Sequence, residues 1–188
     1  MLKRILLSLV LMVLFCAWPI LSAQQKPNVD RKIYEAIREH EPEWGPAGVI
    51  DNSLGGYVLF PGPMPKGTIG LGDIWLMRRG DEIRHAVQSG EVIIIHLYEV
   101  ASPTEAAQWL NRLTEASYLN DLRRRGWEVT KYEVADEAYV IEYDGERKSS
   151  PNSYGYFRKG KIVGEISGKE LSVVERFTTL ISAQMPAS

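Results

Sequence analysis

Hydrophobic and polar positions alternate along this chain with two periods, and the places where the period changes divide it into elements. Val29, Ile33 and Ile37 recur at a spacing of four, which predicts a helix from Asn28 to Glu41 that Pro42 ends. From Gly45 to Gly72, eight glycines and four prolines fall within 28 residues. That density of breakers predicts a long loop over 45–72 with one strand-like run at Tyr57 to Phe60. A loop of this size inside a domain is usually functional or poorly ordered.

Three period-two runs follow, Asp73 to Arg79, Glu82 to Gln88 and Glu91 to Val100, with Gly80-Asp81 and Ser89-Gly90 between them as turns. They read as an antiparallel meander. Ser102-Pro103-Thr104-Glu105 then carries three helix-start signals: a Ser cap, Pro at the first helical position, and Glu three residues after the cap. The helix is expected to run to Arg125, burying Ala106, Trp109, Leu110, Leu113 and Ala116, and to stop at Gly126. Strands are predicted at Trp127 to Val134, Glu137 to Asp144, Ser153 to Lys159 and Lys161 to Ile166. A final helix from about Gly168 to Ala183 carries Val173, Val174, Phe177, Leu180 and Ile181 on one stripe. The order predicts an α+β fold: blocks of antiparallel β-meander, about seven strands in all, covered on a face by two amphipathic helices, plus an N-terminal helix.

The first two dozen residues change the later counts. Lys3 and Arg4 precede an apolar run from Ile5 to Leu21 broken only by Ser8, and Ser22-Ala23 supply small residues before Gln24. This is the order of a secretory signal peptide, so residues 1–23 are expected to be removed and 24–188 to form a single α+β domain. The alternative is an uncleaved anchor, since seventeen apolar residues reach the lower limit for spanning a bilayer. Cleavage would leave 20 basic residues against 24 acidic ones, a net charge near −4 that argues against nucleic acid as a partner. Cys16 lies inside the apolar run, so the mature chain would have no cysteine and no disulfide, thiol nucleophile or Cys-ligated metal. No Asn-x-Ser/Thr acceptor occurs. A secreted or periplasmic protein fits these features.

Candidate chemistry is sparse. In the expected meander, pairing Gln88 with Glu91 sets Ile83 opposite His96 and His85 opposite Ile94. His85 and His96 would then be diagonal neighbours about 7 to 8 Å apart at Cα, able to approach one metal ion. The ordinary reading makes them amphipathic members of a half-buried face. Asp73 with either histidine and a serine could form a hydrolytic set, but no G-x-S-x-G elbow occurs and no spacing selects one. His40-Glu41-Pro42-Glu43 lacks the helical His pair of a zincin. Gly67-Thr68-Ile69-Gly70-Leu71-Gly72 reverses the dinucleotide-loop spacing and precedes a strand, so it reads as turn.

The second strand block is rich in aromatics, Trp127, Tyr132, Tyr139, Tyr143, Tyr154, Tyr156 and Phe157. Such residues either fill a core or line a groove. In the groove reading, Tyr57 and Phe60 of the loop form one wall and Tyr139, Tyr154 and Tyr156 the other, with Arg158 at the mouth. The function these features favour is an exported, non-enzymatic module that binds a small molecule, a peptide or an envelope protein without a cofactor. The membrane would be involved only if residues 5–21 remain attached. The alternative is a metal-dependent or hydrolytic envelope enzyme using His85 and His96. If the signal reading is right, mass spectrometry of the exported protein will give an N-terminus at Gln24; recovery of only full-length chain from washed membranes contradicts it.

Overall fold

A computed structural model describes residues 29–47, 63–82, 85, 86, 89, 91–145 and 151–186. The elements are α1 (Val29–His40), β1 (Trp44–Pro46), β2 (Ile69–Arg78), β3 (Val92–Glu99), α2 (Pro103–Asn111), a 3₁₀ turn (Arg112–Thr114), α3 (Ala116–Arg124), β4 (Trp127–Tyr132), β5 (Glu137–Tyr143), β6 (Ser153–Lys159), β7 (Ile162–Gly168) and α4 (Leu171–Gln184). All seven strands join one antiparallel sheet in the order β1-β2-β3-β7-β6-β5-β4. The chain leaves β3, crosses one face as α2 and α3, enters the far edge as β4, and meanders back until β7 lies beside β3. The expected α+β architecture and strand number are found.

Because side chains alternate along a strand, each face collects its own set. One face presents Ile74, Leu76, Ile93, Ile95, Leu97, Ala138, Phe157, Ile162 and Ile166 to α1 and α4, where Ile33, Ile37, Val173, Val174, Phe177 and Ile181 complete the core. The other presents Tyr139, Ile141, Tyr154, Tyr156 and Val163 to Ala106, Trp109 and Leu110 of α2, Leu113 of the 3₁₀ turn and Leu122 of α3. Two strand glycines make the first of these contacts possible. A Cβ on Gly155 would lie 2.1 Å from the Thr178 hydroxyl of α4, and one on Gly164 would lie 2.2 Å from the Phe157 ring. Both positions therefore need the absence of a side chain to let α4 and the ring approach the sheet. Arg176 of α4 clamps the end of α1 through two bonds to the Glu41 carboxylate, 2.8 and 3.2 Å.

Several expectations are corrected. The run Glu82 to Gln88 is not a strand: residues 85, 86 and 89 are helical, and β2 pairs directly with β3. A strand has two edges, and those of β3 are taken by the ten-residue β2 and by β7; Ala86 is instead buried against Val92 and Ile94. Within the predicted loop 45–72, residues 45–46 belong to β1 and 69–72 to β2. The run Tyr57 to Phe60 lies outside the described residues. The helix expected from Ser102 to Arg125 breaks after Asn111, whose carbonyl accepts the Thr114 hydroxyl at 2.8 Å, and Glu115 is extended before α3 begins. The bend lets Leu113 and Leu122 both reach the same sheet face. Finally, the Pro103 and Gly168 helices cover opposite faces: α2 packs on Tyr154, Tyr156 and Val163, and α4 on Phe157 and Ile166, which alternate to the other side of the same strands.

The start of α2 is as expected. The Glu105 N–H donates to the Ser102 hydroxyl at 3.1 Å while the Glu105 carboxylate accepts from the Ala101 N–H at 3.1 Å, a reciprocal capping box. Trp109 is 1% exposed. In urea titrations Ser102→Ala should cost about 1 kcal/mol and Trp109→Ala roughly 3 to 5 kcal/mol. Equal, negligible losses would contradict the packing of α2 on the sheet.

Candidate functional site

The strand registers place one lateral row of residues across the face covered by α2 and α3: Asp73 opposite His96, His96 opposite Glu165, Glu165 opposite Tyr156, Tyr156 opposite Tyr139, and Tyr139 opposite Lys131. Direct opposition puts all six side chains on one side of the sheet. The row runs from solvent into the core and out again. Asp73 is exposed, the His96 side chain is 14% exposed, and Glu165 is 1% exposed.

At the entry, His96 Nδ1 donates to the Asp73 carboxylate, 2.7 Å away. That bond fixes the orientation of the ring and leaves Nε2 turned away from Asp73. The next position, Glu165, lies on the central strand β7. Among the described residues neither carboxyl oxygen has a partner of ordinary hydrogen-bond geometry, and no cation offsets its charge. Burial pushes the Glu165 carboxyl up to about 8, and the Tyr156 hydroxyl only partly opposes that shift. Glu165 is thus a neutral acid at pH 7, able to donate one hydrogen bond and accept others.

Three phenols surround this carboxyl. Tyr98, two residues along β3 from His96, is pushed up to about 12 by burial, with Asp73 and Glu165 adding to the shift. Tyr118 of α3 is likewise pushed up to about 12 by burial, and its buried hydroxyl has no hydrogen-bond partner among the described residues. Tyr156 is raised well above the ordinary tyrosine value by complete burial and by Glu165. Trp109 of α2 packs edge-on against Tyr156 at 6.2 Å between centroids. All these phenols stay protonated at neutral pH.

Of the residues singled out in the sequence, Tyr139, Tyr154 and Tyr156 do share a face, and Tyr154 and Tyr156 stack at 6.4 Å. They are buried beneath α2 and α3 instead of lining an open wall, and Met64 of the 63–68 segment packs against the same cluster. Tyr57 and Phe60 lie outside the described residues. Arg158 pairs with Glu137 at 2.9 Å, which also accepts the Tyr139 hydroxyl at 2.9 Å. His96 is in the row, whereas His85 is exposed on the helical turn, so the two are not the cross-strand neighbours expected. Among the described residues no group of three or more His, Cys, Asp or Glu is arranged to hold a metal ion.

Glu165 escaped the sequence reading because Val163-Gly164-Glu165-Ile166-Ser167 alternates as if Glu165 faced solvent. The available signal was Val163, an apolar residue on the same side of the strand. A second feature was missed entirely. A cleft of about 400 Å³ opens where Trp44, Arg78, Asp81 and Glu91 meet Lys169, Glu170 and Val173 at the start of α4, with Val92 and Ile93 behind them. Comparison with family models, curated proteins and solved structures finds no match to this chain.

The raised carboxyl has a thermodynamic consequence whose sign is fixed. An unfolded Glu titrates near its ordinary value of 4.5 and folded Glu165 near 8. The cost of keeping it buried is absent below the first value, grows as pH rises between the two, and is complete above the second. Glu165→Gln removes this cost and should stabilise the fold at pH 7 by roughly 1 to 3 kcal/mol, with little effect at pH 4. Urea titrations at both pH values check it; equal effects at the two would contradict a carboxyl held neutral by burial.

Proposed function

We propose that this chain is an exported envelope or extracellular binding module, acting without a cofactor, that takes a small molecule or a peptide group at the Asp73-His96-Glu165 row. The observation that carries the reading is the neutral Glu165 carboxyl, unpaired by any cation among the described residues and set directly beside a half-buried histidine whose other neighbour reaches solvent. Buried polar groups without ordinary partners are rare in folded proteins and concentrate at sites of use. A neutral carboxyl both donates and accepts, so it suits an amide, a hydroxyl or a protonated acid. Tyr98 and Tyr118, both half-buried, supply aromatic surface with polar tips beside the row, over the fully buried Tyr156 and Trp109. The net charge after removal of the leader leaves nucleic acid without an electrostatic basis.

A second reading is favoured by one distance. The 2.7 Å bond from His96 to Asp73 is the orienting contact a general base requires, and Glu165 holds a proton near neutral pH. In that reading the row is the acid-base centre of a hydrolytic envelope enzyme, with His96 as base and Glu165 as acid. His85 has no part in it.

Glu165→Gln separates the two, because glutamine still donates and accepts but transfers no proton. A thermal-shift and NMR titration of the mature chain against amides, short peptides and sugars should find a compound that raises Tm and moves the His96 ring resonances. For a binding module, Glu165→Gln keeps its affinity within about threefold while His96→Ala loses at least about tenfold. An enzyme instead retains binding in Glu165→Gln and loses turnover. Binding that is indifferent to both substitutions overturns the placement of the site.

A further inference from the structure

We propose that the cleft at the start of α4 is a separate binding site for a zwitterionic amino acid or short peptide. Its volume, about 400 Å³, falls in the range of small-molecule sites. One wall is rigid: Trp44 is buried and held edge-on by Phe177 at 5.6 Å. The Arg78 guanidinium lies 5.5 Å from the centre of the Trp44 ring, on the side of the cleft. That contact positions the cation while leaving its planar fork of donors unused, since Arg78 makes no ion pair among the described residues.

The charges around the opening select the ligand. Lys169 approaches Glu91 at 3.8 Å, so this pair largely cancels. Arg78, Asp81 and Glu170 remain in the lining, none within ion-pair distance of an opposite charge among the described residues, with Arg176 outside the cleft acting on Glu170 at longer range, so the lining offers one cation and two carboxylates. An inorganic anion such as phosphate would meet three carboxylates against two cations. A simple amine would leave Arg78 unmatched, and a neutral sugar would leave all three charges so. A molecule carrying a carboxylate and an ammonium matches both halves: the carboxylate takes the bidentate fork of Arg78, and the ammonium takes Asp81 and Glu170. The apolar surface offered by Val92, Ile93 and Val173 is small, because all three are nearly buried. The ligand is therefore recognised by its charged ends more than by its side chains.

This site is distinct from the Asp73-His96-Glu165 row and does not rest on the function proposed there. Calorimetric titration of the mature chain with the dipeptide Gly-Leu, with its N-acetyl derivative and with its C-terminal amide tests it. Gly-Leu should bind, and each blocked derivative should bind at least about tenfold more weakly. Arg78→Gln should weaken Gly-Leu and N-acetyl-Gly-Leu at least about tenfold and leave the amide within about threefold, while Asp81→Asn with Glu170→Gln should do the reverse. Arg78 and Glu170 are exposed and Asp81 half-buried, so the variants should keep the wild-type Tm, and His96→Ala should leave Gly-Leu binding unchanged. Absence of Gly-Leu binding below roughly 10 mM, or binding that ignores both sets of substitutions, overturns the proposal.

Discussion

Burying a carboxyl without a cation is costly, and Glu165 is held on the central strand of a sheet covered by helices on both faces. The cost has one available relief, uptake of a proton, and the rest of the row follows from it. A neutral Glu165 can sit among Tyr98, Tyr118 and Tyr156 without repelling their π faces or demanding water. It can also lie directly opposite His96 without forming an ion pair, which leaves His96 to bond outward to Asp73. Were Glu165 ionised, the same packing would confine a charge beneath α2 and α3.

The covering layer exists because of two local sequence decisions. The capping box at Ser102 and Glu105 launches α2 immediately after β3, and Ala106, Trp109 and Leu110 lay it on the face that carries Tyr156 and Glu165. The break at Arg112–Thr114 then turns the crossing so that Trp109, Leu113 and Leu122 all close over the tyrosines of β5 and β6. On the other face, glycines at 155 and 164 bring α4 and Phe157 close enough to seal the second core. Along the row, exposure rises from the buried Glu165 through His96 to the exposed Asp73 on β2. The cleft beside Trp44 arises differently, at the strand ends, where the sheet runs out before α4 begins.

Local signals in the sequence were enough for elements whose partners are neighbours along the chain. Strands β4 to β7 are joined by turns marked by Asp144-Gly145 and Lys159-Gly160, and their limits match the structure within about two residues. The helix breaks at Pro42 and Gly126 were legible for the same reason. What the sequence could not convey was which surface covers which. The run 82–88 alternates like a strand, yet β7, 60 residues and more downstream, occupies the edge it would need. Likewise Glu165 alternates like a solvent-facing residue, and only the position of α2 and α3 over β7 makes it a core one. Tyr154 and Tyr156 were visible as a pair on one face but not as a pair under a helix. Of the site residues, His96 was found by its chemistry, while Glu165, Tyr118, Trp44 and Arg78 acquire meaning only from contacts across the fold.

The direct measure of the account is the titration of the Glu165 carboxyl itself, followed by carbon NMR with the Glu165→Gln variant used to assign the resonance. A midpoint near 8, with the His96 ring shifting as Glu165 loses its proton, is the result expected of a neutral acid buried beside the Asp73-His96 pair. A midpoint at the ordinary glutamate value of 4.5 would mean that Glu165 is solvated or ion-paired. The row would then be a stretch of ordinary sheet surface, with no basis for a site.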